Sequence, residues 1–263
     1  MGGRTYLDGI LAVHRGRAAA DARDVDELIA ACRRLDDCRG FRRRVAADSK
    51  DGLAVISEIK RRSPSKGDLN ASLDPVTMAR SYEAGGASCL SVLTDVEHFG
   101  GSPDDLREAR SAVSLPVLRK DFTVDARDVV DARLMGADCV LLIAAALEPA
   151  ELHEFHRLAE AIGLDVLVEI HDENELEVAL GTGASLIGVN QRDLVTFDVD
   201  HERAVRMARS IPDHVVKVAE SGVRGVDDAR ALRDAGYDAV LVGESLVTSG
   251  DPSRAVRLLR AVR

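Results

Sequence analysis

The chain has 263 residues, 46% hydrophobic and 30% charged, with a formal net charge of −10. These proportions are ordinary for a soluble globular protein. The negative charge argues against nucleic acid as a partner, and no stretch approaches the roughly 20 apolar residues of a membrane span. Trp is absent, and of 35 basic residues only Lys50, Lys60, Lys66, Lys120 and Lys217 are lysines. Codon bias toward Arg accounts for the imbalance, and under such a bias a retained Lys marks a position that Arg does not serve.

Residues 1–51 read as a helical extension, with helical periodicity over 6–17 and 24–35. The opening MGGRTYLDGI has no signal-peptide pattern, so a cytoplasmic location is expected. Arg39, Arg42, Arg43 and Arg44 cluster beside Phe41. A solvated helix face is the first reading of that cluster, and a place near an anionic substrate the second. Cys32, Cys38, Cys89 and Cys139 have no metal-ligand or redox spacing, and the last two lie inside apolar runs as small buried hydrophobes. The His residues make no zinc pattern; His153 and His156 share a turn without an HExxH motif and read as a surface helix. No metal is expected.

From residue 52 onward short apolar runs alternate with amphipathic segments. Gly86-Ala87-Ser88-Cys89-Leu90, Gly136-Ala137-Asp138-Cys139-Val140, Gly183-Ala184-Ser185-Leu186-Ile187 and Gly236-Tyr237-Asp238-Ala239-Val240 each place a helix-ending Gly before a strand buried on both faces. Strands over 53–59, 115–118, 165–170 and 214–219 fall between them. Asp74-Pro75, Ser102-Pro103 and Asp251-Pro252 put a capping residue before Pro at the first helical position, and Asp125 and Asp172 are plain caps. Eight strand–helix units in strict alternation predict a (β/α)8 barrel over 52–263, a single domain with the 1–51 extension. An open doubly wound sheet is the alternative, but no glycine-rich dinucleotide turn follows the first strand. The last helix reaches the end of the chain, so no second catalytic domain is expected.

Active sites of such barrels lie at the C-terminal ends of the strands. Read in order, those ends are Glu58-Ile59-Lys60, Leu93-Thr94-Asp95, Arg119-Lys120-Asp121, an apolar run through Ala146, Glu169-Ile170-His171, Asn190-Gln191-Arg192, Glu220-Ser221-Gly222 and Gly243-Glu244-Ser245. Clustering charges in one mouth costs solvation unless they are paired or used, which points to acid–base chemistry by Glu and Lys. Adjacent turns Ser221-Gly222 and Gly243-Glu244-Ser245 suit a phosphate held by backbone N–H groups, with the Glu244 carboxylate turned away. The loop over 61–73, with Ser63-Pro64-Ser65-Lys66-Gly67, suits a lid.

Together these strings resemble the indole-3-glycerol-phosphate synthase family of tryptophan biosynthesis over nearly the whole chain. The most specific is Glu58-Ile59-Lys60-Arg61-Arg62-Ser63-Pro64-Ser65-Lys66-Gly67. Leu93-Thr94-Asp95 with Phe99-Gly100-Gly101-Ser102, Leu118-Arg119-Lys120-Asp121-Phe122, Glu169-Ile170-His171, Asn190-Gln191-Arg192-Asp193-Leu194 and Glu220-Ser221-Gly222-Val223 complete the likeness. The chain departs from the family at Gln191, where a second Asn is usual, and at Ala219, where Ser or a similar residue is usual.

The resemblance implies a carbon–carbon carboxy-lyase. It closes a ring in 1-(2-carboxyphenylamino)-1-deoxyribulose 5-phosphate, releases CO2 and water, and gives indole-3-glycerol phosphate without cofactor or metal. Lys120 is then the expected acid at the ribulose carbonyl, and Lys60 a partner of the anthranilate carboxylate or a second acid. Glu169 is the base, Glu58 and Asn190 position hydroxyls and charge, and Glu220 keeps a Lys charged. Arg192 orients Glu or substrate hydroxyls. Ser63, Ser221, Gly222, Gly243, the Glu244 N–H and Ser245 hold phosphate, while Phe99, Phe122 and Leu142 wall the aromatic ring, with the barrel core an equal reading of Leu142. The expected partner is a phosphorylated small molecule, with no nucleic acid and no membrane. The chain is expected as a monomer or weak homodimer, with contacts to other pathway enzymes left open.

Other readings make different demands on the same ends. Phosphoribosylanthranilate isomerase would call for a Cys after the first strand and an Asp after the sixth, where Glu58-Ile59-Lys60 and Asn190 stand. A Schiff-base aldolase would be trapped by borohydride. A non-catalytic phosphate-metabolite binder or a scaffold for other enzymes would not need Lys60, Lys120 and Glu169 together.

Overall fold

Strands buried on both faces need a layer of helix outside and side chains inside, and repeated parallel units meet both needs by closing on themselves. The computed structural model describes residues 6–193 and 198–263. Its strands are β1 (Ala54–Ile59), β2 (Cys89–Leu93), β3 (Val117–Lys120), β4 (Cys139–Ile143), β5 (Asp165–Ile170), β6 (Leu186–Asn190), β7 (Val216–Glu220) and β8 (Ala239–Val242). All pair in parallel in chain order, and β1 pairs β8 to close the barrel. This is the predicted (β/α)8 barrel. Three helices precede it: Tyr6–Ala20, Val25–Cys32 and Phe41–Asp48.

Local signals set the element ends. Asp74, Ser102, Asp125, Asp172 and Asp251 each accept a backbone N–H of the first helical turn with the side chain. Gly86 ends its helix at φ 87°, where a Cβ would be strained, and the same left-handed geometry recurs at Gly136, Gly183 and Gly236. The third and seventh strands start two residues later than predicted, at Val117 and Val216. Pro116 has no N–H to give a ladder, which accounts for the first of these shifts.

Alternation along the strands divides the core in two. Ala54, Ile56, Cys89, Leu118, Cys139, Leu141, Leu167, Leu186, Val216, Val218, Ala239 and Leu241 pack inside the barrel. Val55, Leu90, Val117, Val140, Leu142, Val168, Val189, Ala219 and Val240 pack outward against the helices. Phe41 and Val45, both fully buried, join the inner cluster and close the barrel's N-terminal end.

The Arg cluster is therefore at the end away from the mouth, where Arg43 and Arg44 are exposed as a solvated face would be. Arg39 instead donates to the carbonyls of Val113 and Leu115. Cys89 and Cys139 are fully buried as expected. The helix Pro149–Ala161 exposes His153 but turns His156 into the protein, 3% exposed. No helix among the described residues is long and apolar enough to cross a membrane.

Candidate active site

The inward positions at the C-terminal ends of the strands carry polar groups instead of hydrocarbon. Glu58 on β1, Lys120 on β3, Glu169 on β5, Asn190 on β6 and Glu220 on β7 face one cavity of 610 Å³. Lys60, Ser63, Phe99, Phe122, Arg192, Ser221, Gly222, Gly243, Glu244 and Ser245 line the same cavity.

Leu142 does not line it. Side chains alternate across a strand, so with Cys139 and Leu141 inside the barrel, Leu142 points outward into the helix layer. Leu141 and Ile143 form the apolar wall expected of Leu142.

Glu58, Glu169 and Glu220 are only 4%, 2% and 2% exposed, so their charges must be compensated. Lys120 Nζ lies 3.0 Å from Glu169 Oε2 and 3.6 Å from Glu220 Oε2. Lys60 Nζ lies 2.5 Å from Glu58 Oε1, and the Ser91 hydroxyl donates to Glu58 Oε2 at 3.4 Å. Asn190 Nδ2 donates to Glu169 Oε1 at 3.0 Å, while its Oδ1 accepts from Ser221 Oγ at 2.8 Å and from the Arg192 N–H.

The charge states follow from this geometry. Burial opposes charge on Lys120, but Glu169, Glu220 and Glu58 together outweigh it and hold the ammonium well above its usual pKa. Burial likewise opposes charge on Glu169; Lys120, His171 and the Asn190 hydrogen bond reverse that and lower its pKa to about 2. Glu220 goes the other way, since burial and then the neighbouring Glu169 charge push it well above the usual carboxylate range. Of the two carboxyls beside Lys120, Glu220 therefore holds its proton the more tightly and Glu169 the less. Both carboxyls favour the charge on Lys120, Glu169 the more and Glu220 the less.

Two glycines make this packing possible. A Cβ at Gly188 on β6 would overlap Glu220 Oε1, and one at Gly243 after β8 would overlap Glu58 Oε1. Gly243, expected only as a phosphate contact, also makes room for Glu58. Gly188 was not singled out from sequence, although a Gly inside a strand run is a readable sign of close approach.

The mouth has two unlike ends. Phe99 and Phe122, 6.2 Å between ring centroids, stand beside Leu93, Leu141 and Ile143. Tyr6, Leu7 and Ile10 of the first helix complete this apolar wall, a contribution that periodicity alone does not locate. The other end holds Ser63, whose hydroxyl is buried without a hydrogen-bond partner, and the turns at 221–222 and 243–245. The Ser245 hydroxyl donates to the Val223 carbonyl, so its backbone N–H is the group left for an anion. The Glu244 carboxylate lies 3.9 Å from Lys66 Nζ on the loop after β1. That loop forms a short antiparallel pair, Arg62–Ser63 with Gly67–Asp68. It is tied to the second loop by Arg61 donating to the Gly100 carbonyl and Arg62 to the Glu97 and His98 carbonyls, and to the helix that follows by the Arg61–Asp105 ion pair.

His14, Asp95 and His98 come together at the edge of the mouth, with potential ligand atoms within 4.8 Å of one another. Their wide sequence separation hid this grouping. Asp95 accepts from the His98 and Phe99 N–H groups and contacts His14 Nε2 at 3.0 Å, so it joins the first helix to the second loop. Leu194 of the family-like string lies outside the described residues.

A family model described as "Indole-3-glycerol phosphate synthase" matches residues 7–259. The indole-3-glycerol phosphate synthase of Mycolicibacterium vanbaalenii is 49% identical over 258 residues, covering 97% of this chain and 94% of that one. Indole-3-glycerol phosphate synthase 1 of Streptomyces coelicolor is 56% identical over 212 residues, covering 81% of this chain and 79% of the relative. Among solved structures, a thiamine phosphate pyrophosphorylase from Pyrococcus furiosus superposes with a TM-score of 0.60 at 17% identity, covering 81% of this chain and 95% of that one, a likeness of fold alone. By the family model and by these relatives, the chain belongs to the indole-3-glycerol phosphate synthase family.

Proposed function

We propose that this chain converts 1-(2-carboxyphenylamino)-1-deoxyribulose 5-phosphate to indole-3-glycerol phosphate by acid–base catalysis between Lys120 and Glu169. The observation that carries the mechanism is their 3.0 Å contact at the base of a cavity with one apolar end and, at the other, Ser63 and the turns at 221–222 and 243–245. The anthranilate ring lies against Phe99, Phe122, Leu141 and Ile143. The phosphate lies at Ser63, Ser221, Gly222, Gly243, Ser245 and the Glu244 N–H. A cytoplasmic location fits a small phosphorylated substrate.

In ring closure the aromatic carbon that bears the carboxylate attacks the ribulose carbonyl. The carbonyl oxygen becomes an alkoxide, and an alkoxide is basic enough to take a proton from an ammonium whose pKa is raised. Lys120 supplies that proton and stabilises the developing charge. Lys60 holds the substrate carboxylate until the C–C bond breaks and CO2 leaves. Loss of the Lys120 proton removes the charge that depressed Glu169, so the base strengthens when it is needed. Glu169 then removes the ring proton while hydroxide departs as water, protonated by a neighbouring acid. Arg192 and Asn190 keep the sugar hydroxyls and Glu169 in register.

The experiment is direct. The substrate is added and two products are followed, CO2 and the emission of the new indole, against a protein with no Trp of its own. Equal yields of both support the proposal. Substrate that remains unconverted overturns it.

A further inference from the structure

We propose that Gln191 and His201 are positioning residues that hold the Ser221–Gly222 turn in the shape that receives the substrate's phosphate; this rests on the phosphate placement proposed above. Ser221 is the one non-glycine residue with positive φ among the described residues, at φ 67°, and Gly222 follows at φ 73°. A serine does not hold this conformation unaided, so neighbouring contacts must impose it.

Gln191 supplies them from a fully buried position. Its Nε2 donates to the Ser221 carbonyl at 2.8 Å and to the Glu220 carbonyl at 3.4 Å, and its own N–H donates to the Glu220 carbonyl at 3.0 Å. With the amide nitrogen facing two carbonyls, Oε1 must accept. It meets His201 Nδ1 at 2.9 Å, so the network puts a proton on that ring nitrogen.

His201 also packs against the turn. A Cβ at Gly222 would lie 3.1 Å from His201 Cε1 and 2.5 Å from Val199 Cγ1, so only glycine fits against these two side chains. The turn is linked to the catalytic groups, because Ser221 Oγ donates to Asn190 Oδ1 and Asn190 donates to Glu169. An Asn at 191, one methylene shorter, falls short of the Ser221 carbonyl from the same backbone.

The test is Gln191→Leu, close in volume but unable to hydrogen bond. KM for the substrate and Ki for inorganic phosphate should rise together by about tenfold, the scale of one lost hydrogen bond, with kcat falling less. His201→Leu should act in the same direction, and the double variant should be no worse than Gln191→Leu alone. Gln191→Glu should not restore binding, because a carboxylate cannot donate to the Ser221 carbonyl. Unchanged KM and phosphate Ki in Gln191→Leu, whatever its melting temperature, overturn the proposal, as does full additivity in the double variant. Melting temperatures with and without inorganic phosphate separate this from the reading beneath it. A wild-type protein that phosphate does not stabilise removes the phosphate placement itself, whereas equal stabilisation of wild type and Gln191→Leu removes only the positioning role.

Discussion

Glu220 is buried beside another carboxylate, and its pKa is raised well above the unfolded value of about 4.3. Above that pH the unfolded chain releases a proton that the folded chain keeps. Stability from this group is therefore full below about pH 4.3 and is lost as pH rises, by up to about 1.4 kcal/mol per pH unit. Glu220→Gln keeps the shape and removes the titration. We predict a higher melting temperature than wild type at pH 7.5, with lower turnover; a lower melting temperature would mean that Glu220 is charged and paired with Lys120. Glu169 has the opposite sign. Its pKa of about 2 stabilises the fold above the unfolded value, and that contribution is lost as pH falls from about 4.3 toward 2. Glu169→Gln should lower kcat by roughly 10²–10⁴-fold, and a defect confined to KM would make it a binding residue. These residues were legible because they are polar groups at the C-terminal ends of apolar runs, where the inward positions open on the mouth, although Arg119 beside them turns to Asp121 and Asp128 instead. The scarcity of Lys helped as well. Lys60, Lys66 and Lys120 stand at the mouth, although Lys217 is outward and buried, its Nζ donating to the Ala208 carbonyl. Which carboxylate is charged was not legible, because that depends on distances between β3, β5 and β7.

At the scale of the element, the period of two in a strand governs what reaches the mouth. The run through β4 is apolar at every position, so its sequence contains no polar marker of the inward face, and ring wall and core stay equal readings of Leu142 until the outward packing decides for the core. The two neighbours now separate by experiment. Leu142→Ala should destabilise by about 2–5 kcal/mol and leave KM near wild type, whereas Leu141→Ala should also raise KM. Denaturant unfolding together with steady-state kinetics reads both quantities, and a KM effect confined to Leu142→Ala would reverse the assignment. Gly188→Ala should displace Glu220 and reduce kcat while the barrel still forms. Normal turnover there would show that Glu220 has room to move. The caps and the glycine ends of the helices were readable because their chemistry is local, whereas the partners of Glu58, Gly188 and Gly243 come from strands far apart in the chain.

The whole molecule is organised by a barrel with different chemistry at its two ends. The segment before it contributes to both: Phe41 and Val45 close the bottom, while Tyr6, Leu7 and Ile10 stand at the mouth. Phe41→Ala should cost about 3–5 kcal/mol in unfolding free energy without changing KM, because it opens a cavity at the end remote from the site. The barrel itself was legible from repetition, eight times over, of one strand–helix unit. The docking of the first helices was not, since nothing local ties residue 41 to one end and residue 10 to the other. In the proposed function, ring closure at this mouth turns on Lys120 as the acid. Single-turnover conversion of the carboxyphenylamino-deoxyribulose phosphate, read by indole emission, tests it most directly when wild type is compared with Lys120→Arg. The guanidinium keeps the charge but hardly gives up a proton. Wild type should form product rapidly and Lys120→Arg should lose roughly 10²–10⁴-fold in rate with its circular dichroism unchanged; near-normal product formation by Lys120→Arg would remove Lys120 as the acid.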